Sequence, residues 1–138
     1  MTDRDTDFRV WKGFRAYLAT MLEDAQLREA DEACMDEREP YDFGTVYTLS
    51  DEAYTSSLAD WRQFVAANSD LVDAAAARDG YSHDSVGSDF WMTRAGHGTG
   101  FWDRSELGTE LGEALTAACD PFRSIDCYVG NDGKVYVA

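Results

Sequence analysis

Residues 89–104 read DFWMTRAGHGTGFWDR. Two aromatic runs, Phe90-Trp91-Met92 and Phe101-Trp102, flank Gly96, Gly98 and Gly100. Bulky aromatics on either side of a glycine-rich tip predict a β-hairpin. On that reading Trp91 and Trp102 lie on facing strands, either in the core or as an exposed aromatic patch. Exposed aromatics beside arginine are typical interface anchors, so both are candidate partner-binding residues.

The flanking sequence reads outward from this segment. Ser105 opens a predicted helix to about Cys119, with Leu107, Leu111, Leu115 and Ala118 as its stripe. Gly108 and Gly112 stand one turn apart there and permit close backbone contact. IDCYV and KVYV flank Gly130-Asn131-Asp132-Gly133, the clearest hairpin signal in the chain. Upstream, residues 80–88 (GYSHDSVGS) read as a polar loop. A short alanine-rich helix starts near Asp70. A longer one runs from Ser50-Asp51 to about Ala67, with Leu58, Trp61, Phe64 and Val65 facing the core. Residues 41–49 (YDFGTVYTL) are either a short strand or a packed loop. The first helix runs from about Asp7 to the mid-thirties, with Trp11, Phe14, Leu18, Met21, Leu22 and Ala25 as its apolar stripe. The expected fold is a single α+β domain over 1–138. Three to four helices pack on a small antiparallel sheet of two hairpins.

Charge narrows the function. The chain has 27 acidic and 12 basic residues, a net charge of −15. Phosphate binding needs lysine and arginine to displace counterions, so nucleic acid is not an expected ligand. An anionic membrane is disfavoured for the same reason. No apolar run approaches the ~20 residues of a membrane span, and the N-terminus has no apolar secretory segment. The favoured partner is a basic protein or nucleoprotein complex. The acids are also clustered: residues 23–52 hold eleven acids against two bases, net −9. On the first helix, Glu29, Glu32 and Asp36 fall on the same stripe as the apolar residues, and a core face does not accept three unpaired carboxylates. The stretch from Glu29 to Glu39 is therefore expected to be solvated, and Pro40 ends any helix. Duplex DNA presents a charge every ~1.7 Å of axis. A helix rises ~1.5 Å per residue, so a dense acidic helix approaches that density. The candidate partner-binding residues are Glu29, Asp31, Glu32, Asp36, Glu37, Glu39 and Asp42, with Trp91 and Trp102.

Catalytic and metal signatures are weak. His97, near Asp103, Arg94, Arg104 and Asp89 in sequence, offers a His–Asp pair for acid–base work, but no nucleophile is marked beside it. His83-Asp84 joined to His97 and Asp103 matches no metal spacing, and the acidic stretch lacks a calcium loop. Cys34, Cys119 and Cys127 form no CxxC and read as free thiols in a reducing compartment. No cofactor or metal is expected.

The run 89–104 also resembles a segment of short bacteriophage-encoded proteins of obscure function, which reads close to DFWLTRNGHGAGFWDR. In that group a leucine-spaced helix and a YxGDDGKxY-like end commonly follow. Leu107 to Leu115 and Tyr128-Val129-Gly130-Asn131-Asp132-Gly133-Lys134-Val135-Tyr136 are the counterparts here. The likeness covers roughly residues 58–138 and leaves out the acidic stretch 23–52. It implies a phage or prophage origin and action in the host bacterial cytoplasm; it brings no reaction with it. The combined expectation is a non-enzymatic counter-defence protein, of anti-CRISPR or antirestriction type with DNA mimicry, that binds the basic nucleic-acid channel of a host defence complex. The alternatives are an accessory interaction module using residues 89–104, or a small enzyme using His97.

Overall fold

The structure, a computed structural model, describes residues 8–34, 48–122 and 124–138; for residues 8–9 and 27–34 it describes the backbone alone. Among these are five α-helices: α1 (Phe8–Cys34), α2 (Asp51–Ala67), α3 (Ser69–Ala76), α4 (His83–Ala95) and α5 (Gly108–Ala118). Two 3-10 turns, Phe101–Asp103 and Asp120–Phe122, bracket α5. The strands are β1 (Thr48–Leu49), β2 (Cys127–Val129) and β3 (Lys134–Val137). The class is α+β, with five helices instead of three to four.

The sheet also differs from expectation. Its order is β1-β3-β2. The hairpin of β2 and β3 forms as predicted, antiparallel with Tyr128 opposite Tyr136. Its turn closes with Gly133 N–H donating to the Gly130 carbonyl at 3.0 Å, and Gly133 takes φ +79°. The third strand comes from residues 48–49, not from a second hairpin. It pairs parallel to β3, with Leu49 opposite Val135.

The segment expected to be that second hairpin is helix α4 followed by a compact loop. Ser82 caps the helix: its hydroxyl accepts from Ser85 N–H, and Ser85 Oγ accepts from Ser82 N–H. This capping box satisfies two otherwise orphaned donors, and it lies inside the stretch that reads as a polar loop. Gly96 ends the helix in the left-handed region at φ +74°, where an L side chain is strained. Val86, Phe90, Trp91 and Arg94 are all buried. A helix buried on most of its circumference has no apolar stripe to announce it.

Helix α4 is central because α1 crosses it at a glycine pair. A Cβ on Gly87 would overlap the Gly13 carbonyl oxygen. Around the crossing, Phe14, Tyr17 and Met21 of α1 meet Trp61 and Phe64 of α2, Phe90 and Trp91 of α4, and Leu111 and Leu115 of α5 in one core. Phe64 stacks on Phe90 with ring centroids 4.2 Å apart. The buried face of α1 is Val10, Phe14, Tyr17, Met21 and Ala25. It is rotated from the expected stripe, so Trp11 is 40% exposed and Tyr17 takes the core position. Among the described residues no helix is long and apolar enough to cross a membrane.

Candidate functional site

Three polar webs and one cleft surround the ends of α4. The first joins the two ends of the 89–104 segment. Asp89 is buried. Arg104 forks onto it, with Nε 3.1 Å from Oδ1 and 3.0 Å from Oδ2, and NH2 2.7 Å from Oδ1. The Tyr81 hydroxyl donates to Asp89 Oδ2 at 2.6 Å. A forked guanidinium is the strongest arrangement for a carboxylate, and a buried carboxylate requires such partners. Burial, then the bond to Asp89, pushes the Tyr81 hydroxyl far up. The bond to Asp89 likewise raises Arg104. Above the pair, a recess of about 350 Å³ has Asp84, Ser85, Ser88 and Glu106 on its walls.

The second web surrounds Arg94, which is also buried. Its NH1 donates to the Tyr17 hydroxyl at 2.7 Å and to Asp60 Oδ2 at 3.0 Å, and its NH2 donates to the Phe122 carbonyl at 2.9 Å. The guanidinium also packs on the rings of Phe90 and Phe122. Burial drives the Tyr17 hydroxyl up, with Arg94 opposing. The Cys119 thiol is pushed up to about 12 by burial, again against Arg94. A thiol so held stays protonated and is a poor nucleophile. Cys119 and Cys127 are both buried.

The third web places His97. Its Nε2 hydrogen-bonds Asp24 Oδ2 of α1, and the same oxygen accepts from Trp91 Nε1 at 2.9 Å. The carboxylate that meets His97 is therefore Asp24, where sequence proximity suggests Asp103 or Asp89. Asp103 instead accepts from the Thr99 hydroxyl at 3.0 Å. His83 sits at the opposite end of α4 from His97, 4.0 Å from Asp73. Roughly 18 Å of helix separates the two histidines, so they do not share a metal. Among the described residues no group of three or more His, Cys, Asp or Glu gathers as a metal set.

The two candidate tryptophans part company. Trp91 is fully buried in α4, so it belongs to the core, not to a partner-binding surface. Trp102 is 50% exposed on the 3-10 turn, and neither stands on a strand. The turn beneath Trp102 is firmly held. Phe101 is buried, its N–H donates to Thr93 Oγ1 at 3.2 Å, and a Cβ on Gly112 would come within 2.7 Å of its carbonyl oxygen. A cleft of about 290 Å³ opens beside Trp102. Of the acidic candidates, Glu29, Asp31 and Glu32 stand on the helical backbone of α1. Their side chains, and all of Asp36, Glu37, Glu39 and Asp42, lie outside the described residues.

Sequence reasoning missed Asp24, Tyr81, Tyr17 and Asp60. The first pairs with residues 67 and 73 positions away, and no local pattern marks such a pairing. The signal available was burial itself: Arg94 and Asp89 inside an aromatic run each need an opposite charge. No known protein family, characterised protein or solved structure matches the chain.

Proposed function

We propose that this chain is a non-catalytic phage or prophage counter-defence protein that engages the basic nucleic-acid channel of a host defence complex. Charge carries the reading: net −15, with residues 23–52 alone at net −9. The helix α1 supports it by continuing to Cys34, through Glu29, Asp31 and Glu32. A helical backbone rises ~1.5 Å per residue, so Glu29, Asp31 and Glu32 fall within about 4.5 Å of helix axis, a local charge density approaching that of duplex DNA. The binding partner is a basic host protein or nucleoprotein; action takes place in the bacterial cytoplasm.

The test is a phage-protection assay against a reconstituted CRISPR or restriction complex, with direct binding measured across a salt series. Affinity falls steeply between about 50 mM and about 500 mM salt, because exposed charges are screened within ~8–10 Å at physiological strength. Reversal of Glu29, Asp31, Glu32, Asp36, Glu37, Glu39 and Asp42 to lysine abolishes protection. A flat salt response overturns the electrostatic reading. The exposure of Trp102 on a fixed turn favours a second reading, an accessory interaction module centred on that residue. In that case Trp102→Ala, and not charge reversal, removes binding.

A further inference from the structure

We propose that the cleft beside Trp102 receives an arginine side chain of the partner. This rests on the reading that the partner surface is basic, and adds which residue of it is gripped and where. Trp102, Asp120 and Ser124, all exposed, line the cleft together with half-buried Thr93 and Thr116 and buried Arg94 and Cys119.

Three features select a planar cation. First, the indole face is the best aromatic surface for a guanidinium, which stacks on it as a lysine ammonium does not. Second, the cleft lies at the C-terminal end of α5, where the helix dipole is negative. The last turn of α5 carries no basic residue, and acidic Asp120 follows its C-cap Cys119. Third, Arg94, which reaches the same cleft, has its charge met by Asp60 at 3.0 Å and its faces covered by Phe90 and Phe122. Among the described residues that line the cleft, the carboxylate of Asp120 is thus the charge left to offer. The volume, about 290 Å³, suits one long side chain; small-molecule pockets begin near that size. The 3-10 turn is already locked by Phe101, so little ordering is left to lose when the indole is covered.

The probe is N-acetylarginine amide, titrated into the full chain labelled with ¹⁵N. Its neutral isostere, N-acetylcitrulline amide, and N-acetyllysine amide are titrated in parallel. The indole N–H signals of Trp61 and Trp91, bonded internally to the Val10 carbonyl and to Asp24, serve as references. The expected result is a saturable shift of the Trp102 indole signal with arginine amide and a weaker one with lysine amide. Citrulline amide leaves it in place. Trp102→Ala removes the response elsewhere in the cleft. Trp102→Phe and Asp120→Asn each weaken it about two- to fivefold, the range of one exposed cation–π or ionic contact. An unmoved Trp102 signal at about 100 mM arginine amide, or an equal response to citrulline amide, overturns the proposal.

Partner binding separates this inference from the reading beneath it. The triple variant Glu29→Lys, Asp31→Lys, Glu32→Lys leaves the arginine-amide response intact in either case. If that reversal abolishes partner binding while Trp102→Ala leaves it unchanged, the basic-partner reading stands and the arginine cleft falls. If partner binding is indifferent to salt and charge reversal but citrulline amide still fails where arginine amide succeeds, the cleft stands alone.

Discussion

His97 is held by Asp24, 73 residues earlier in the chain, and the same carboxylate oxygen that meets the imidazole accepts the buried indole N–H of Trp91. The loop after α4 is thereby tied to α1 at the point where the acidic half of that helix begins.

The two sides of this contact carry unequal weight. The His97 side chain is 40% exposed, that of Asp24 21%, so their pairing is partly screened and contributes at most ~1 kcal/mol. Asp24→Ala strands the Trp91 indole N–H inside the core and costs about 1–3 kcal/mol. Asp24→Asn keeps an acceptor oxygen and costs less. His97→Ala costs under about 1 kcal/mol and, on the proposed function, retains phage protection. Urea denaturation of the three variants checks the order. A His97→Ala protein that stays folded yet loses protection overturns the non-catalytic reading.

What was legible in the sequence follows a physical line. Helix α2 could be placed because Ser50 caps it, accepting from Ala53 N–H at 3.1 Å, and because Trp61, Phe64 and Val65 recur on one face. The last hairpin could be placed because glycines bound its turn. Helix α4 could not. Buried on most of its circumference, it shows a continuous Phe90-Trp91-Met92 run instead of a stripe, and the glycines that follow it imitate a hairpin tip. Gly96 and Gly98 do take the left-handed region, but to end a helix and turn a loop. The strand at 48–49 is two residues long and pairs with one 86 positions away, which no local pattern encodes. In the candidate site, the sequence leaves both tryptophans the choice of core or exposed patch; Trp91 takes the first and Trp102 the second, because one lies on a buried helix and the other on the turn after it.

The crossing of α1 over α4 depends on glycine for room. Gly87→Ala places a methyl group against the Gly13 carbonyl, and backbone cannot yield as a side-chain tip does. Overpacking of this kind costs about 1–3 kcal/mol or more. Gly98 differs: a Cβ there meets nothing within 4 Å, but the residue sits at φ +75°. Gly98→Ala therefore costs only the ~1 kcal/mol of the left-handed backbone. Thermal melts should place Gly87→Ala below Gly98→Ala; the reverse order would mean the helices do not cross here.

Asp89 and Arg104 make the loop's other anchor. Arg104→Gln leaves a carboxylate that is almost fully buried with only the Tyr81 hydroxyl; the Arg104 side chain is itself 35% exposed, so the loss is about 1–3 kcal/mol. Arg104→Lys recovers little, since an ammonium cannot fork across Oδ1 and Oδ2. Removing both charges, Asp89→Asn with Arg104→Gln, costs less than Arg104→Gln alone. Denaturation midpoints of these variants decide the point, and additive losses would mean the two side chains do not interact.

Alkaline pH should expose the buried thiol and phenols. Cys119 is raised from an ordinary 9.0 to about 12, and Tyr17 and Tyr81 are raised from 10.0, in each case chiefly by burial. The folded chain holds these protons more tightly than the unfolded chain. Below 9.0 both states keep them and their stabilising effect is complete. As pH rises past 9.0 the unfolded chain releases the Cys119 proton first, and past 10.0 the tyrosine protons, so stability declines toward pH 12. Cys119→Ala removes one of these groups and makes the decline shallower, at the cost of a small cavity. At pH 8 the same burial leaves Cys119 protonated and covered, so a thiol reagent reacts with it only as fast as the surrounding structure opens. Mass spectrometry of the labelled chain measures this directly: Cys119 labelling accelerates sharply in denaturant. Rapid labelling of Cys119 in the native protein at pH 8 would mean that the thiol is neither buried nor raised.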